Sequence, residues 1–256
     1  MKRTLITPDV NTFPSRYCKL LENARIYDSS CSPEACVYFI DADGGYYLKT
    51  AKKGSLLAEA EMTRYFHSKG LATRVADYIS LDRDWLLTEK LSGEDCTHKI
   101  YLFQPEKLCD TIAELLRGLH ETDFSDCPVQ NRIERYKNTV LTNHEDGVFD
   151  SSFGFGDAKE AFSLVEKNIK YLQNDTLLHG DYCLPNIMLD NWRFSGFIDL
   201  DNGGVGDRHI DIFWGIWTLQ FNLGTNEYAS RFIDAYGREK VDKDMLRLIA
   251  ACESFG

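Results

Sequence analysis

The sequence predicts an α+β fold made of a strand-rich amino-terminal part and a larger, mostly helical carboxy-terminal part. Between residues 24 and 91, short apolar segments alternate with turns rich in Gly, Ser and Asp, a pattern typical of antiparallel strands. From Pro105 onward, apolar residues recur at helical spacing instead. Two short apolar segments on either side of residues 190–193 also predict a β-hairpin within the carboxy-terminal part.

The chain has 256 residues, enough for one large domain or two modest lobes. We place the boundary between an amino-terminal lobe at 1–90, with strands and one helix, and a helical lobe at 91–256. The apolar content of 43% and the charged content of 27% are ordinary for a globular protein. No apolar run suits a signal peptide or a membrane span, so we expect a cytoplasmic protein.

Charge and cysteine usage narrow the classes of partner. The formal charge of −11 argues against nucleic acid and anionic membranes as partners and favours the approach of a cation. The eight cysteines include no Cys-x-x-Cys pair, so we expect reduced thiols rather than a zinc site or a disulfide framework.

The amino-terminal lobe contains strands near 24–27, 37–40 and 46–49, a helix at 55–68 and a last strand that begins at Trp85. Tyr47 and Lys49 are two residues apart on a strand, so they share a face at a separation of about 6.6 Å. That separation lets a ring stack on adenine while an ammonium group reaches phosphates. The lysine needs a carboxylate partner, and helical phase favours Glu59 over Glu61 because Glu59 lies beside apolar positions.

The carboxy-terminal lobe begins with a helix from Pro105 to His120, since proline suits the first turn and four apolar residues follow at helical spacing. Asp157 and Glu160 form the pattern of a capping box at the start of another helix. Further helices are predicted at 212–223, 228–236 and 245–252. We also interpret His179 as a core histidine and Asp211 as a buried carboxylate that bonds loop backbone.

Three polar residues, Asp181, Asn186 and Asp199, have a spacing that suits phosphoryl transfer from Mg-ATP. A symmetric hairpin centred between Trp192 and Arg193 would place Asn186 opposite Asp199, about 4.5 to 5.5 Å away. An amide oxygen and a carboxylate at that distance can share Mg²⁺. Asp181 can then accept a proton from an attacking hydroxyl, and the spacing matches that of a kinase catalytic loop.

The motifs around these residues resemble those of the aminoglycoside 3'-phosphotransferases, antibiotic kinases with a protein-kinase-like fold. The residues that carry the resemblance are His179-Gly180-Asp181, Leu184-Pro185-Asn186-Ile187, Ser195-Gly196-Phe197-Ile198-Asp199-Leu200, Gly204-Val205-Gly206-Asp207-Arg208 and Asp211-Ile212. The resemblance implies a bilobal, protein-kinase-like fold, with ATP and Mg²⁺ as cofactors and GTP as an open alternative to ATP.

The resemblance also implies roles for residues in the amino-terminal lobe. Ser32, in a loop of small residues, would contact a phosphate. Lys49, steadied by Glu59, would hold the α and β phosphates. The backbone groups of Glu89 and Leu91 would bind the adenine edge.

For the substrate, the resemblance implies contacts from Asp150, Glu253 and Phe255, together with Asp181. The sequence departs from the family by having fewer carboxylates. Ser151 and Ser152 stand where members commonly have glutamates, and Trp217-Thr218 and Phe221-Asn222 stand where Arg-Asp and acidic pairs are usual. Fewer carboxylates weaken charge complementarity to a polycation.

Three functions therefore stay open at this stage. The first is ATP-dependent phosphorylation of an aminoglycoside hydroxyl by a monomer or homodimer acting on a cationic small molecule. The second is a kinase of the same fold for another hydroxylated metabolite or antibiotic. The third is a catalytically dead nucleotide-binding regulator, against which the intact Lys49, Asp181 and Asp199 speak.

Overall fold

The computed structural model describes residues 3–31, 33 and 35–256. These form two compact units, the first consisting of the described residues up to Asp95 together with Ile187–Asp201. The second unit consists of Cys96–Asn186 and Asn202–Gly256. This division differs from the boundary at 90/91 that we placed from sequence, because the segment 187–201 belongs to the first unit.

The described strands, in chain order, are β1 (Thr4–Ile6), β2 (Arg25–Asp28), β3 (Ala35–Asp41), β4 (Tyr46–Lys52), β5 (Val75–Ser80), β6 (Arg83–Glu89), β7 (Glu94–Asp95), β8 (Thr176–Leu178), β9 (Ile187–Asp190), β10 (Arg193–Phe197) and β11 (Gly204–Gly206). The α-helices are α1 (Cys18–Leu21), α2 (Leu57–Ser68), α3 (Lys99–Leu102), α4 (Pro105–His120), α5 (Arg132–Glu145), α6 (Ala158–Asn168), α7 (His209–Leu223), α8 (Ala229–Tyr236) and α9 (Lys243–Glu253).

The first unit contains a six-stranded antiparallel sheet with the strand order β1-β2-β3-β4-β6-β5. Its two faces are covered by separate apolar clusters because side chains alternate along each strand. Leu48 and Trp85 pack with Phe13 on one face, and Ala51 packs with Ala60 of α2 on the other. The odd-numbered face of β4, which carries Lys49, is therefore the face that α2 covers.

The hairpin of β9 and β10 belongs to the first unit because β9 also pairs with β7, in the order β10-β9-β7. Asn191 and Trp192 form a two-residue loop in which both have a positive φ, 49° and 69°. Asp190 pairs with Arg193, and a bulge follows between Phe194 and Gly196.

The symmetric register that we predicted for this hairpin was wrong. The centre lies between Asn191 and Trp192, one residue earlier than expected, and Ile187 pairs with Phe197. An antiparallel ladder continued from that pair would match Asn186 with Ile198, so the hairpin does not pair Asn186 with Asp199. A glycine without a side chain to pack, Gly196, follows the extra residue of the bulge.

The second unit is mostly helical, with a small two-stranded sheet of β8 and β11. Its main core brings together apolar residues of α5, α6, α7 and α9, among them Val140, Val165, Ile210, Ile249 and Phe255. The predicted helix from Pro105 to His120 is confirmed as α4. No α-helix in the described ranges has both the length and the apolar character that a membrane crossing requires.

The capping box predicted for α6 is present in modified form. The Asp157 carboxylate accepts a hydrogen bond from the Glu160 N–H at 2.8 Å, as expected for an N-cap. The Glu160 carboxylate, however, accepts from the Gly156 N–H at 3.1 Å. The helix start is therefore stabilised by two reciprocal contacts that satisfy otherwise unpaired donors.

Candidate functional site

In the first unit, Lys49 is held between two carboxylates. Its Nζ donates to Glu59 Oε2 and to Asp199 Oδ1, both at 2.8 Å. Lys49 projects from β4, Glu59 lies in the first turn of α2, and Asp199 follows β10. The predicted pairing of Lys49 with Glu59 is confirmed as a contact, and Asp199 is a second partner that strand and helix periodicity did not reveal.

Burial and charge act in opposite directions on the pKa values of Lys49 and Glu59. Burial lowers the pKa of Lys49, but the two carboxylates outweigh burial and raise that pKa above its ordinary value. Burial raises the pKa of Glu59 to about 7, against the lowering effect of the Lys49 ammonium. Lys49 therefore stays charged, and Glu59 depends on that charge to remain ionised.

Asp199 has a positive φ of 60°, which is uncommon for a residue with a side chain. Its side chain is 46% exposed, far more than that of Glu59 at 9%. One carboxylate oxygen binds Lys49, and the other forms no hydrogen bond within the described part of the chain. Asp199 thus retains an oxygen that can bind a ligand.

Tyr47 lies on the same face of β4 as Lys49, and two other side chains contact it. The Arg3 guanidinium donates to the Tyr47 hydroxyl at 2.6 Å and lies 3.8 Å from the centre of the Phe39 ring. The Phe39 and Tyr47 rings are 5.2 Å apart. The sequence analysis missed Arg3, because nothing in the strand pattern connects it with this face.

The segment that follows β6 includes backbone groups that are available for further hydrogen bonds. The Glu89 N–H donates to the Arg74 carbonyl at 3.0 Å, and the Glu89 carbonyl accepts from the Thr73 hydroxyl at 2.6 Å. The Leu91 N–H has no acceptor among residues 3–31, 33 and 35–256. A carbonyl oxygen has two lone pairs, so Glu89 can accept a second hydrogen bond. Ser32 lies outside the described residues.

In the second unit, Asp181 and Asn186 contact each other directly. The Asn186 amide nitrogen donates to Asp181 Oδ2 at 2.8 Å and to the Asp181 carbonyl at 3.0 Å. These bonds use the amide hydrogens and fix the orientation of the Asp181 carboxylate. The Asn186 side-chain oxygen accepts no hydrogen bond from the described residues.

The backbone before Asp181 is fixed by a buried network. The Asp211 carboxylate accepts from the His179 N–H at 2.7 Å and from the Gly180 N–H at 2.8 Å, which confirms the structural role that we assigned to Asp211. Asp211 also contacts His120 Nε2 at 3.2 Å, and His120 Nδ1 is joined to the Tyr236 hydroxyl at 2.8 Å.

His120 was overlooked in the sequence analysis, although one signal was available. It lies four residues after Leu116 and therefore on the apolar face of α4. Burial lowers the pKa of His120, and the nearby Asp211 carboxylate opposes that shift. A neutral imidazole in this position is a hydrogen-bond bridge rather than a charge.

Gly180 is required by the close approach of a second backbone segment. It has a φ of 84°, and a Cβ at this position would lie 1.9 Å from the Asn202 carbonyl oxygen. Asn202 in turn accepts a hydrogen bond from Arg132 Nε at 2.8 Å. The loop that carries Asp181 therefore packs directly on the Asn202 backbone, and only glycine fits.

The predicted substrate residues Asp150 and Glu253 differ in environment. Asp150 is exposed and accepts from the Ser152 N–H at 2.8 Å, while its own N–H donates to the Ser254 carbonyl. Glu253 is buried and accepts from the Tyr136 hydroxyl at 2.7 Å. Both residues are thus connected to the end of α9.

Burial raises the pKa of Glu253 to about 7. Hydrogen bonds from Tyr136 and Trp214 oppose that shift, whereas the charge of Asp181 adds to it. The largest cause is thus burial, and the charge of Asp181 is a smaller one that acts in the same direction.

The structure places the side chain of Phe255, which we predicted to contact a substrate, in the core. Phe255 is 0% exposed and packs against the rings of His144, Phe149 and Phe162. A terminal Glu-x-Phe pattern does not reveal which of its residues faces solvent. Phe255 instead belongs to the core that supports the end of α9.

Each unit has groups with the chemistry that a magnesium nucleotide requires. Asn186 in the second unit and Asp199 in the first each have one side-chain oxygen that accepts no hydrogen bond from a described residue, and Mg²⁺ takes such oxygens as ligands together with phosphate oxygens. Lys49 supplies a fixed positive charge of the kind that binds phosphate.

Comparison with known proteins places these features in a family. The sequence matches the phosphotransferase enzyme family over residues 34–249. It is 51% identical over 254 residues to a probable aminoglycoside 3'-phosphotransferase from Lactococcus lactis, with 97% of each chain covered. It is 31% identical over 180 residues to an aminoglycoside 3'-phosphotransferase from Niallia circulans, with 67% of each chain covered.

Solved structures confirm the predicted protein-kinase-like fold. A crystal structure of aminoglycoside-3'-phosphotransferase of type VIII is similar with a TM-score of 0.72 and 22% identity, covering 91% of this chain and 94% of the other. The aminoglycoside phosphotransferase APH(3'')-Id from Streptomyces rimosus has a TM-score of 0.76 and 21% identity, covering 94% and 95%. The chain therefore belongs to the phosphotransferase enzyme family that includes the aminoglycoside 3'-phosphotransferases.

Proposed function

We propose that this protein transfers the γ-phosphoryl group of ATP to a hydroxyl group of an aminoglycoside. The observation that carries the proposal is the position of Lys49 Nζ, 2.8 Å from both Glu59 and Asp199. Such a lysine, fixed by a helix glutamate, is the phosphate-binding arrangement of kinases. The relatives from Lactococcus lactis and Niallia circulans support the choice of substrate through their names.

The proposed nucleotide contacts come from the first unit. Lys49 binds the α and β phosphates, and Glu59 holds the ammonium in place. Tyr47 stacks on the adenine, the Glu89 carbonyl accepts from its amino group, and the Leu91 N–H donates to its ring. Ser32 is proposed to contact a phosphate from the preceding loop.

Asn186 and Asp199 would each provide one oxygen ligand for Mg²⁺. When bound, the metal ion would neutralise the charge that develops between the β and γ phosphates. These ligands are close to points where the chain passes between the units, after Asn186 and after Asp201.

Asp181 is proposed to act as the general base. Its carboxylate, oriented by Asn186 at 2.8 Å, takes the proton of the attacking hydroxyl. The hydroxyl oxygen forms a bond to the γ-phosphorus, and the bond from that phosphorus to the bridging oxygen of ADP breaks. The products are ADP and a phosphorylated substrate.

The proposed substrate is a cationic small molecule, for which Glu253 and Asp150 supply negative charge. The charge of Asp181 contributes to the raised pKa of Glu253, so a cation would be attracted by both carboxylates. Similar structures have been solved with streptomycin and ADP and with hygromycin B and a nucleotide, which supports a multi-ring amino sugar as the acceptor.

One observation favours a second candidate, a kinase for a less cationic hydroxylated molecule. Uncharged residues, Trp217, Thr218, Phe221 and Asn222, occupy positions of α7 where the sequence comparison led us to expect charged ones. This candidate uses the same nucleotide site and the same base.

A single panel experiment tests these candidates. The protein is incubated with Mg-ATP and aminoglycosides, macrolides or amino alcohols, and ADP release is measured. We expect turnover with aminoglycosides, and Asp181→Asn should lower that turnover by about 10³-fold without changing ATP affinity. Asp146→Asn, at an exposed position, is the control. Turnover restricted to another compound class would support the second candidate, and near-normal turnover by Asp181→Asn would refute the proposed base.

A further inference from the structure

Three aromatic side chains form a continuous row on α7, which we call the aromatic row: Trp214, Trp217 and Phe221. Spacings of three and four residues place them on one side of the helix. The ring centres of Trp214 and Trp217 are 5.2 Å apart, and those of Trp217 and Phe221 are 5.0 Å apart with nearly parallel planes at 12°. Phe221, at the end of the row, is 71% exposed.

The other end of the row lies beside the end of α9, because Trp214 packs against the core cluster that contains Cys252 and Phe255, the residues on either side of Glu253 and Ser254. In agreement with this position, Trp214 lowers the pKa of Glu253, whereas the charge of Asp181 raises it. Thr218, next to Trp217, accepts a hydrogen bond from the Leu184 N–H at 3.1 Å. The row is therefore anchored to the loop that carries Asp181 and leads away from it along α7.

A cleft of about 520 Å³ lies at the far end of the row. Its lining combines Trp217 and Phe221 with polar groups and the turn that ends α7, and the full set is Trp217, Gln220, Phe221, Gly224, Thr225 and Asn226. A concave site of this size, with aromatic walls and a few polar side chains, has the composition of a small-molecule site. Both members of the stacked pair, Trp217 and Phe221, line that cleft.

The chemistry of the row and the cleft selects a particular kind of ligand. Aromatic ring faces attract ammonium groups, and they also pack against the apolar faces of sugar rings. Gln220, Thr225 and Asn226 can donate to and accept from hydroxyl and amino groups. Seven residues of α-helix separate Trp214 from Phe221, a rise of about 10 Å that can accommodate linked sugar rings.

We infer that the aromatic row and its cleft bind the distal ring of a multi-ring amino sugar while another ring of the same molecule lies near Asp181. The inference rests on the proposed function and adds to it a specificity determinant. Carboxylates at one end hold ammonium groups by charge, and aromatic faces at the other end hold a ring by stacking and cation–π attraction. Aromatic residues thus replace part of the charge complementarity that α7 lacks.

Kanamycin B, with three rings, and neamine, its two-ring fragment, are suitable probes. Phe221→Ala and Trp217→Leu should each raise the Kd and the KM for kanamycin B by about tenfold, with little change in kcat. Neamine should be unaffected, because it lacks the ring that enters the cleft. The control is Phe103→Ala, which removes a phenylalanine that is 79% exposed on a different surface segment. Calorimetry gives Kd, and ADP release gives KM and kcat.

Unchanged constants for kanamycin B in both variants would overturn the inference, as would an equal loss for neamine, which would indicate an effect on the Asp181 loop. Phe221→Ala could also dissociate a dimer in sedimentation experiments and leave KM unchanged. That result would overturn the inference, because the aromatic row would then be an interface between copies of the chain. Failure of the proposed function is recognised separately, as no ADP release by the unmodified protein with any aminoglycoside. Calorimetry then still decides the inference, since absent binding of kanamycin B, or binding that Phe221→Ala leaves unchanged, would overturn it.

Discussion

Glu59 in the first unit and Glu253 in the second are both buried glutamates whose pKa is raised to about 7. Their partners differ. Glu59 accepts a hydrogen bond from the Lys49 ammonium at 2.8 Å, whereas Glu253 accepts from the neutral Tyr136 hydroxyl at 2.7 Å. Burial favours the neutral form of both carboxyl groups, but only Glu59 has a cation in direct contact to compensate.

This difference separates two uses of a buried carboxylate. The charge of Glu59 is matched within the protein, so its role is to orient Lys49. The charge of Glu253 is supported mainly by neutral donors, with a smaller effect of the Arg132 charge, and is matched less completely. Keeping such a group costs stability, and we propose that its charge serves to bind a cationic substrate.

The largest expected effect concerns the stability contribution of Glu253. Its pKa is 4.5 when unfolded and about 7 when folded, so the unfolded chain releases the proton first as the pH rises between these values. The free energy of unfolding should therefore fall by about 3 kcal/mol across this window, with no further loss above it. Glu253→Gln, which does not titrate, should gain stability relative to the unmodified protein over the same window.

Urea unfolding at a series of pH values measures this difference. Glu166→Gln, at an exposed position of α6, is the control and should follow the unmodified protein. A pH-independent difference between the unmodified protein and Glu253→Gln would show that Glu253 is not held against its charge.

The second prediction concerns Lys49, the cation that stabilises the negative charge of Glu59. Lys49→Met should lower kcat/KM for ATP by about a hundredfold, because a fixed donor to the phosphates is lost. Burial would then act on Glu59 without opposition from the ammonium, so we expect the pKa of Glu59 to rise further. Steady-state ADP release at several ATP concentrations measures the first effect.

Lys52→Met is the matched control, because Lys52 is an exposed lysine on the same strand, β4. If both lysine variants lost activity equally, general electrostatic attraction of ATP would explain the effect and the specific pairing of Lys49 would not.

The smallest expected effect distinguishes the proposed roles of Glu59 and Glu253. Glu59→Gln should raise the KM for ATP by about tenfold and leave the KM for an aminoglycoside unchanged, because it weakens the hold on Lys49. Glu253→Gln should do the reverse, since it removes charge that faces a cationic substrate. A variant in which both KM values move together would contradict the separation of roles.

Much of the proposed nucleotide site could be predicted from the local sequence pattern. Strand alternation placed Tyr47 and Lys49 on one face, and helical phase selected Glu59 over Glu61. The structure shows Lys49 in contact with Glu59 and α2 packed on that face. Both periodicities are fixed by backbone geometry, so they survive in the folded protein.

The proposed substrate site was less predictable, because the burial of its residues depends on elements that are distant in the chain. Phe255 follows Glu253 by two residues, yet the rings of α5 and α6 cover it completely. His120 belongs to the buried hydrogen-bond network because it contacts Asp211, which is 91 positions away in the chain. Neither relation has a local period that a sequence pattern can reveal.

The hairpin of β9 and β10 shows the same limit at short range. The turn and the two strands followed from the sequence, but the bulge and the pairing of Ile187 with Phe197 did not. One extra residue on one strand changes every facing pair beyond it.

The sequence by itself determined the set of chemical groups: the carboxylates of Asp181 and Asp199, the amide of Asn186, and the ammonium group of Lys49 with its glutamate. It did so because residue type and spacing encode local geometry and chemistry directly. The roles of base and metal ligand that we assign to them remain proposals. The tertiary structure decided which carboxylate is buried, which aromatic ring lies in the core and which rings remain at the surface of α7. Those outcomes depend on what packs against each side chain, and packing joins residues that are far apart in the chain.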